Sequence, residues 1–383
     1  MKVLHVIFRD KNFHNLYVDC QEKLFGGVNE NYFFIIGPEK NGKISVDYPN
    51  VYTVEEATQI RENPLLSRLK EECNIVIVTG IFSMLKKNLL QIIDGVESKT
   101  YLQFWGGDYY DHLPMSLAKL VRSTNSADFK KNIKKFKRNF KPTQDKKNIG
   151  TAIDKCAGVM VLTDGEEGEI KKAFPNVKKC YSVPFSINLN LTGDINVGVN
   201  AENAKSKRII VGNSANATNR HKDVFEMLMH LDLENVEIIC PLSYGDEEYA
   251  KKIKAYGKEC FGNKFHSLDT LMTPDDYSKL LMTCDVGIFC MKRQQALGNI
   301  GKLLVMGKKV YVNSASPTWT KFSNEGYKIF DSNEIKNMNT EEFFRMDKAF
   351  IDQNLNARKN EVNHFAMNWK NFYAEVGNVQ KNN

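Results

Sequence analysis

No run of roughly eighteen or more apolar residues occurs, so the sequence offers no helix able to cross a bilayer. The apolar residues 1–8 are interrupted at once by Arg9-Asp10-Lys11, which reads as a first buried strand and not as a secretory leader. Eight cysteines are present without a single Cys-x-x-Cys pair. That absence removes the usual zinc-ribbon and dithiol redox motifs, and Cys inside apolar runs behaves as a small hydrophobe in a reducing cytoplasm. The small-residue loop at Gly212 is neither a Gly-x-Gly-x-x-Gly fingerprint nor a P-loop. The net charge of +7 comes with no recognised nucleic-acid-binding motif, so nucleic acid is not an expected partner.

What is present describes a folded α/β protein. At 383 residues the chain exceeds one ordinary core, and a hydrophobic fraction of 42% can furnish two. Short apolar runs rich in β-branched residues alternate with helical spacing, the pattern of parallel sheets buried on both faces. Strands are expected at residues 3–8, 32–36, 51–54, 75–78, 101–105, 158–162 and 180–183, and again at 208–211, 236–239, 286–290, 309–312 and 327–330. An Asn-, Gly- and Lys-rich stretch without period separates the two sets. The expected division is a first Rossmann-like domain over 1–190, a linker over 191–207, a second Rossmann-like domain over 208–345 and a helical, aromatic-rich tail over 346–383. Between Lys130 and Lys147 nine Lys or Arg stand against one Asp, interleaved with Ile133, Phe136 and Phe140. Such a segment is either a basic amphipathic helix for an anionic membrane surface or a solvated face.

The most informative stretch runs from Cys284 to Asn313. A buried strand leads into the polar loop Lys292-Arg293-Gln294-Gln295-Ala296-Leu297-Gly298-Asn299, and an apolar-periodic helix over 300–306 stops at Gly307 before another strand. In such a β-α-β unit the loop lies at the carboxyl end of a strand beside a helix N-terminus, a common seat for phosphate. Arg293 brings a fixed charge and a donor fork, and Gln294, Gln295 and Asn299 bring amides able to read hydroxyls. The alternative is a solvated connection. Gly212-Asn213-Ser214, running to Asn219-Arg220-His221, is a second loop of this kind, where small residues let backbone amides approach a ligand. In the first half, Trp105-Gly106-Gly107-Asp108 puts a carboxylate at a sheet edge, either for chemistry or as a helix cap. His14 and His221 are weaker candidates, since a lone His is more often structural. Trp105 reads as core more readily than as a sugar platform, and Tyr244 as packing or as the flank of a base.

Trp105-Gly106-Gly107-Asp108-Tyr109, the Gly212 loop, Pro241-Leu242-Ser243-Tyr244-Gly245, Arg293-Gln294-Gln295-Ala296-Leu297-Gly298, and Asn313, Pro317 and Trp319 in an Asn-x-x-x-Pro-x-Trp pattern occur in one order. In this order the sequence resembles the enterobacterial TDP-N-acetylfucosamine:lipid II N-acetylfucosaminyltransferase family, glycosyltransferase family 56. The resemblance implies a GT-B fold, two Rossmann-like domains facing each other across a cleft. It also implies a cytoplasmic enzyme, peripheral on the inner membrane, moving a deoxyamino sugar from a nucleotide diphosphate to a polyprenyl-diphosphate-linked glycan. The donor would then lie against Gly212, Asn213, Ser214, His221, Tyr244, Arg293, Gln294, Gln295, Gly298 and Asn299. Arg293, with help from Lys302, would neutralise the leaving diphosphate. The acceptor would meet His14, Trp105 and Asp108, with Asp108 as the base if the reaction inverts the anomeric centre. No Asp-x-Asp occurs, so no cofactor and no divalent metal is expected. After the Arg-Gln-Gln loop the chain departs from the family at Asn299-Ile300-Gly301-Lys302, which leaves the sugar open. A GT-B epimerase and a non-catalytic sugar-binding component of a polysaccharide complex are the competing readings.

Overall fold

A computed structural model of the chain describes residues 1–10, 13–56, 59–60, 62–110, 144–185, 187 and 206–381. Among these residues the buried strands form two separate sheets. The first contains β1 (Lys2–Phe8), β2 (Glu30–Ile36), β3 (Val51–Val54), β4 (Ile75–Thr79), β5 (Thr100–Gln103), β6 (Gly158–Val161) and β7 (Cys180–Ser182), in the order β3-β2-β1-β4-β5-β6-β7. The second contains β8 (Lys207–Val211), β9 (Val236–Pro241), β10 (Phe265–Leu268), β11 (Val286–Phe289), β12 (Lys309–Val312) and β13 (Phe330–Asp331), in the order β10-β9-β8-β11-β12-β13. Every named pairing is parallel. Each sheet winds outward one way, then restarts beside its first strand and winds the other way. The switch falls between β1 and β4 in one sheet and between β8 and β11 in the other. Loops leaving the carboxyl ends of two such strands diverge, and the crevice they leave is where doubly wound sheets bind ligands.

The helices that bear on the sites are α1 (His14–Phe25), α2 (Gly107–Tyr110), α3 (Asp164–Ala173), α4 (His221–Leu228), α5 (Glu247–Phe261), α6 (Pro274–Thr283), α7 (Leu297–Val305), α8 (Pro317–Asn324) and α9 (Lys348–Lys381). α6 has the boundaries its sequence signals specify: Thr273 accepts from the Asp276 amide and Pro274 occupies the first turn. In the second unit, apolar residues alternate across β8. Ile209 and Val211 meet Val224, Phe225 and Leu228 of α4, while Ile210 meets Ile300, Leu303 and Leu304 of α7. α4 and α7 therefore cover opposite faces of the sheet, as two right-handed crossovers wound in opposite directions require.

Two compact units emerge, one of residues up to 110, 144–187 and 362–381, the other of 206–361. The expected helical tail is one long helix, α9, which belongs to the second unit up to Glu361 and to the first from Val362. Phe365, Trp369 and Phe372 of that helix are buried in the first core with Tyr17 and Phe25, and the Trp369 indole donates to the Pro184 carbonyl at 3.0 Å. The last strand is shorter than the sequence suggests. The Asn354 side chain takes both backbone groups of Lys328, at 2.6 and 3.3 Å, so pairing begins only at Phe330. The helical segment after β4 is interrupted at Asn88, whose side-chain amide donates to the Met84 carbonyl at 2.7 Å. Of the basic segment, positions 130–143 lie outside the described residues. No described helix is long and apolar enough to cross a membrane.

Candidate active site

The loops after β8 and β11, which flank the switch point of the second sheet, are bound to each other through one side chain. Gln295 Oε1 accepts from Thr218 Oγ1 at 2.8 Å and from Arg293 Nε at 3.1 Å, and Gln295 Nε2 donates to Asn213 Oδ1 at 2.8 Å. Its backbone amide reaches Thr318 Oγ1 at 3.4 Å, which ties the loop to α8. Asn213 in turn donates to the Tyr244 hydroxyl at 2.9 Å, and the Tyr244 ring remains 52% exposed. Four segments remote in sequence thus meet at one edge.

Beneath this network sits Asn219, fully buried. Its Oδ1 accepts from the Asn213 amide at 2.9 Å, and its Nδ2 donates to the carbonyl and hydroxyl of Ser214 at 3.0 and 3.1 Å. Gly212 has φ +68°, and a Cβ there would stand 2.7 Å from both Asn219 Oδ1 and His221 Nε2. Only glycine lets the chain turn over these two side chains. The expected direct contact of His221 with the donor is corrected accordingly. The ring is 0% exposed, its Nδ1 pairs with the Tyr249 hydroxyl at 3.1 Å, and burial lowers its pKa to about 3, so it is neutral and acts as packing under Gly212.

α4 and α7 begin without a side-chain cap, and their N-cap residues, Arg220 and Ala296, are the non-glycine residues with positive φ among those described, at 57° and 62°. α5, α6 and α8 carry side-chain caps from Asp246, Thr273 and Ser316. First-turn amides have no intrahelical acceptor, and a helix N-terminus favours an anion. Arg293 and Gln294 lie half-buried on the loop leading to α7. Gly298, in its first turn, is exposed, and a Cβ there would meet nothing, so no close approach explains it. Asn299 and Lys302, expected at the ligand, are instead bound to α6: Asn299 Nδ2 donates to the Tyr277 hydroxyl at 3.1 Å and Lys302 Nζ to Ser278 Oγ at 2.8 Å. Gln295 is corrected too, since its carboxamide is engaged on both sides by protein partners. Thr218, Asn219, Thr318 and Tyr277 were not singled out by sequence. For Asn219 the signal was available, because Asn in a small-residue loop commonly bonds nearby backbone.

In the first unit the candidate residues turn inward. Asp108 is 3% exposed and its two oxygens accept from the amides of Ile81 and Trp105, each at 2.9 Å. Burial raises its pKa to about 7 against the opposing pull of these amides. A carboxylate bonded in this way braces the loops after β4 and β5, and the geometry corrects its assignment as the base. His14 is also fully buried, between the carbonyls of Asp10 and Lys43. It holds the loop after β1 and does not present itself to an acceptor. Trp105 is half-buried, donates to Thr79 Oγ1 at 2.8 Å and stacks on Phe185 with centroids 4.8 Å apart. Among the described residues no three His, Cys, Asp or Glu gather as a metal site.

A family model described as 4-alpha-L-fucosyltransferase glycosyl transferase group 56 matches residues 181–378, just over half of the chain. The chain belongs to this family. It is accordingly a glycosyltransferase, a hexosyltransferase of GT-B fold. Solved structures similar to it include a sucrose-phosphate synthase from Thermosynechococcus elongatus at 11% identity and TM-score 0.62, covering 100% of this chain and 99% of that one. A glycosyltransferase from Rickettsia africae matches at 14% identity and TM-score 0.61, covering 98% of each chain. An alpha-glucosyltransferase in complex with UDP matches at 12% identity and TM-score 0.58, covering 98% of this chain and 100% of that one. At such identities the likeness concerns the fold alone. The family match spans the whole second unit and leaves most of the first outside it.

Proposed function

We propose that this glycosyltransferase moves a 4-acetamido-4,6-dideoxygalactosyl (N-acetylfucosaminyl) group from a TDP donor to a polyprenyl-diphosphate-linked saccharide, at the cytoplasmic face of a membrane and without a divalent metal. The observation that carries the donor half is the Gln295 network, which ties Arg293 to the two loops that lead into helices without side-chain caps at the switch point of the second sheet. Bond cleavage leaves negative charge on the departing diphosphate, and preorganised donors stabilise it best where it develops. The Arg293 guanidinium and the first-turn amides of α7 are the donors of that kind. Tyr244, exposed and held by its hydroxyl, suits a planar base. The missing Asp-x-Asp supports metal independence, with Arg293 taking the role of the cation. The resemblance carried by the motifs at Gly212, Arg293 and Asn313 supports the choice of sugar and of a lipid-linked acceptor.

The test is acceptor-dependent release of TDP from TDP-4-acetamido-4,6-dideoxygalactose by the purified chain, with and without EDTA. Release that needs the polyprenyl-diphosphate glycan and survives EDTA supports the reading. Epimerised donor in the absence of acceptor overturns it, and EDTA-sensitive release overturns its metal-independent part.

A further inference from the structure

A crevice of about 300 Å³ opens in the second unit at the carboxyl edge of the sheet, on the face covered by α4. Arg220, Asp223 and Glu226 line it from α4, Cys290 from the end of β11, Asn313 from the end of β12, and Lys336 from the turn after β13. Two features indicate what it takes. The first is Asn313, only 3% exposed: its Oδ1 accepts from the Ala315 amide at 3.0 Å, while its amide nitrogen donates to no described residue although Asn313 lines the crevice. The second is charge. Arg220 and Lys336 face Asp223 and Glu226, and Arg220 already pairs with Asp223 at 2.6 Å. A lining balanced in this way gives no net attraction to phosphate, whereas planar carboxylate, amide and guanidinium groups match the paired donors and acceptors of a neutral polyol. The volume is at the small end of ligand sites, suited to one sugar ring and not to a whole nucleotide.

Position connects the crevice to the diphosphate cradle. Cys290 precedes Arg293 by three residues, which bounds their Cα separation at about 11 Å. Arg220 follows Thr218, the residue that donates to Gln295. We infer that this crevice receives the glycosyl group of the nucleotide-sugar donor, with Asn313 donating to a hydroxyl or acetamido oxygen of the sugar. The inference rests on the donor reading above and names its sugar-specificity site. Asn313 opens the Asn-x-x-x-Pro-x-Trp motif, and the interactions described for the donor loops do not use it.

Calorimetric titration of the full chain with TDP and with TDP-4-acetamido-4,6-dideoxygalactose tests it. Asn313→Ser keeps an oxygen for the Ala315 amide and deletes the nitrogen, and Lys336→Met changes the crevice from its far side. Both variants should bind TDP within about twofold of the native chain. Asn313→Ser should weaken the sugar nucleotide about tenfold, the scale of one lost polar contact, and Lys336→Met by a smaller factor. Equal weakening of both ligands, or native-like binding of both by the two variants, overturns the inference and leaves the donor reading standing. A native chain that binds neither ligand overturns both. If thermal melting shows that Asn313→Ser does not fold, Lys336→Met decides between these outcomes.

Discussion

Replacing Gln295 separates two roles that its sequence context leaves confounded. As a reader of the sugar, its loss should raise KM in a sugar-dependent way. As a brace, its loss should free Arg293 and act on the chemical step. The structure favours the brace, because bonds from Thr218 and Arg293 fill the Oε1 acceptor and Nε2 donates to Asn213. Each such bond contributes about 0.5–1.5 kcal/mol net, and water partly replaces them at this half-buried position, so Gln295→Ala should lower stability by about 1–3 kcal/mol. The effect on rate is bounded from above by deletion of a donor aimed at the leaving group, about 10²–10³-fold. A displaced but present Arg293 should cost less, about 10–100-fold in kcat, or roughly 1.4–2.7 kcal/mol. Gln295→Glu sharpens the comparison. Its carboxylate would still accept from Arg293 and Thr218, but it would oppose Asn213 Oδ1 and offset the charge that Arg293 directs at the diphosphate, so kcat should fall at least as far while stability falls less. The assay is steady-state release of TDP at varied donor, with urea unfolding of each variant. Retained kcat together with a KM increase confined to one sugar would refute the bracing argument.

Two further perturbations probe the supports of each unit. Gly212→Ala should destabilise by at least about 2 kcal/mol, because a left-handed backbone costs an L-residue about 1–2 kcal/mol and the new methyl group would stand 2.7 Å from two buried side chains; an unchanged urea midpoint contradicts this. Burial pushes the Glu166 carboxyl up to about 8, from an ordinary value of 4.5. The folded chain then holds a proton that the unfolded chain releases between these values, so stability should decline as pH rises from about 4.5 to about 8. Glu166→Gln can still accept from the Leu162 amide and the Thr163 hydroxyl and can donate to Tyr109, the partners of the native carboxyl. It should flatten the decline by a few kcal/mol, leaving the slope that Asp108 contributes with its pKa of about 7; superimposable pH profiles of native and variant chains would contradict the assignment.

The fold was largely legible because parallel strands buried on both faces write themselves as continuous apolar runs. Residues 51–54 and 309–312 match β3 and β12 at both ends. The helix over Pro64–Glu72 is not legible from periodicity although Asn63 caps it and Pro64 opens it, since its apolar residues, Leu65, Leu66 and Leu69, are too few to set a period. The site was legible as a set of loops and not as a set of contacts. Gln295 meets Thr218 and Asn213 across 77 and 82 residues, a separation over which only the strand order decides adjacency. Asp108 misled for the opposite reason. A carboxylate at a strand end suits catalysis and capping equally, and burial, which sequence does not display, decides between them.

The two units place strain and support differently. In the first, Asp108 and His14 hold their own backbone, bonding the loops after β4, β5 and β1. In the second, the polar side chains bond one another across the switch point, and the backbone carries the strain at Arg220 and Ala296. A left-handed non-glycine residue costs about 1–2 kcal/mol, and each of these two sits where a side-chain cap would otherwise occupy the helix N-terminus. Such strain persists where surrounding bonds over-determine the backbone, and the Asn219 and Gln295 networks supply those bonds on either side. The loops of the second unit are therefore built before a ligand arrives. Preorganisation of this kind is what a leaving diphosphate requires, because donors already fixed in place need not reorganise as charge develops.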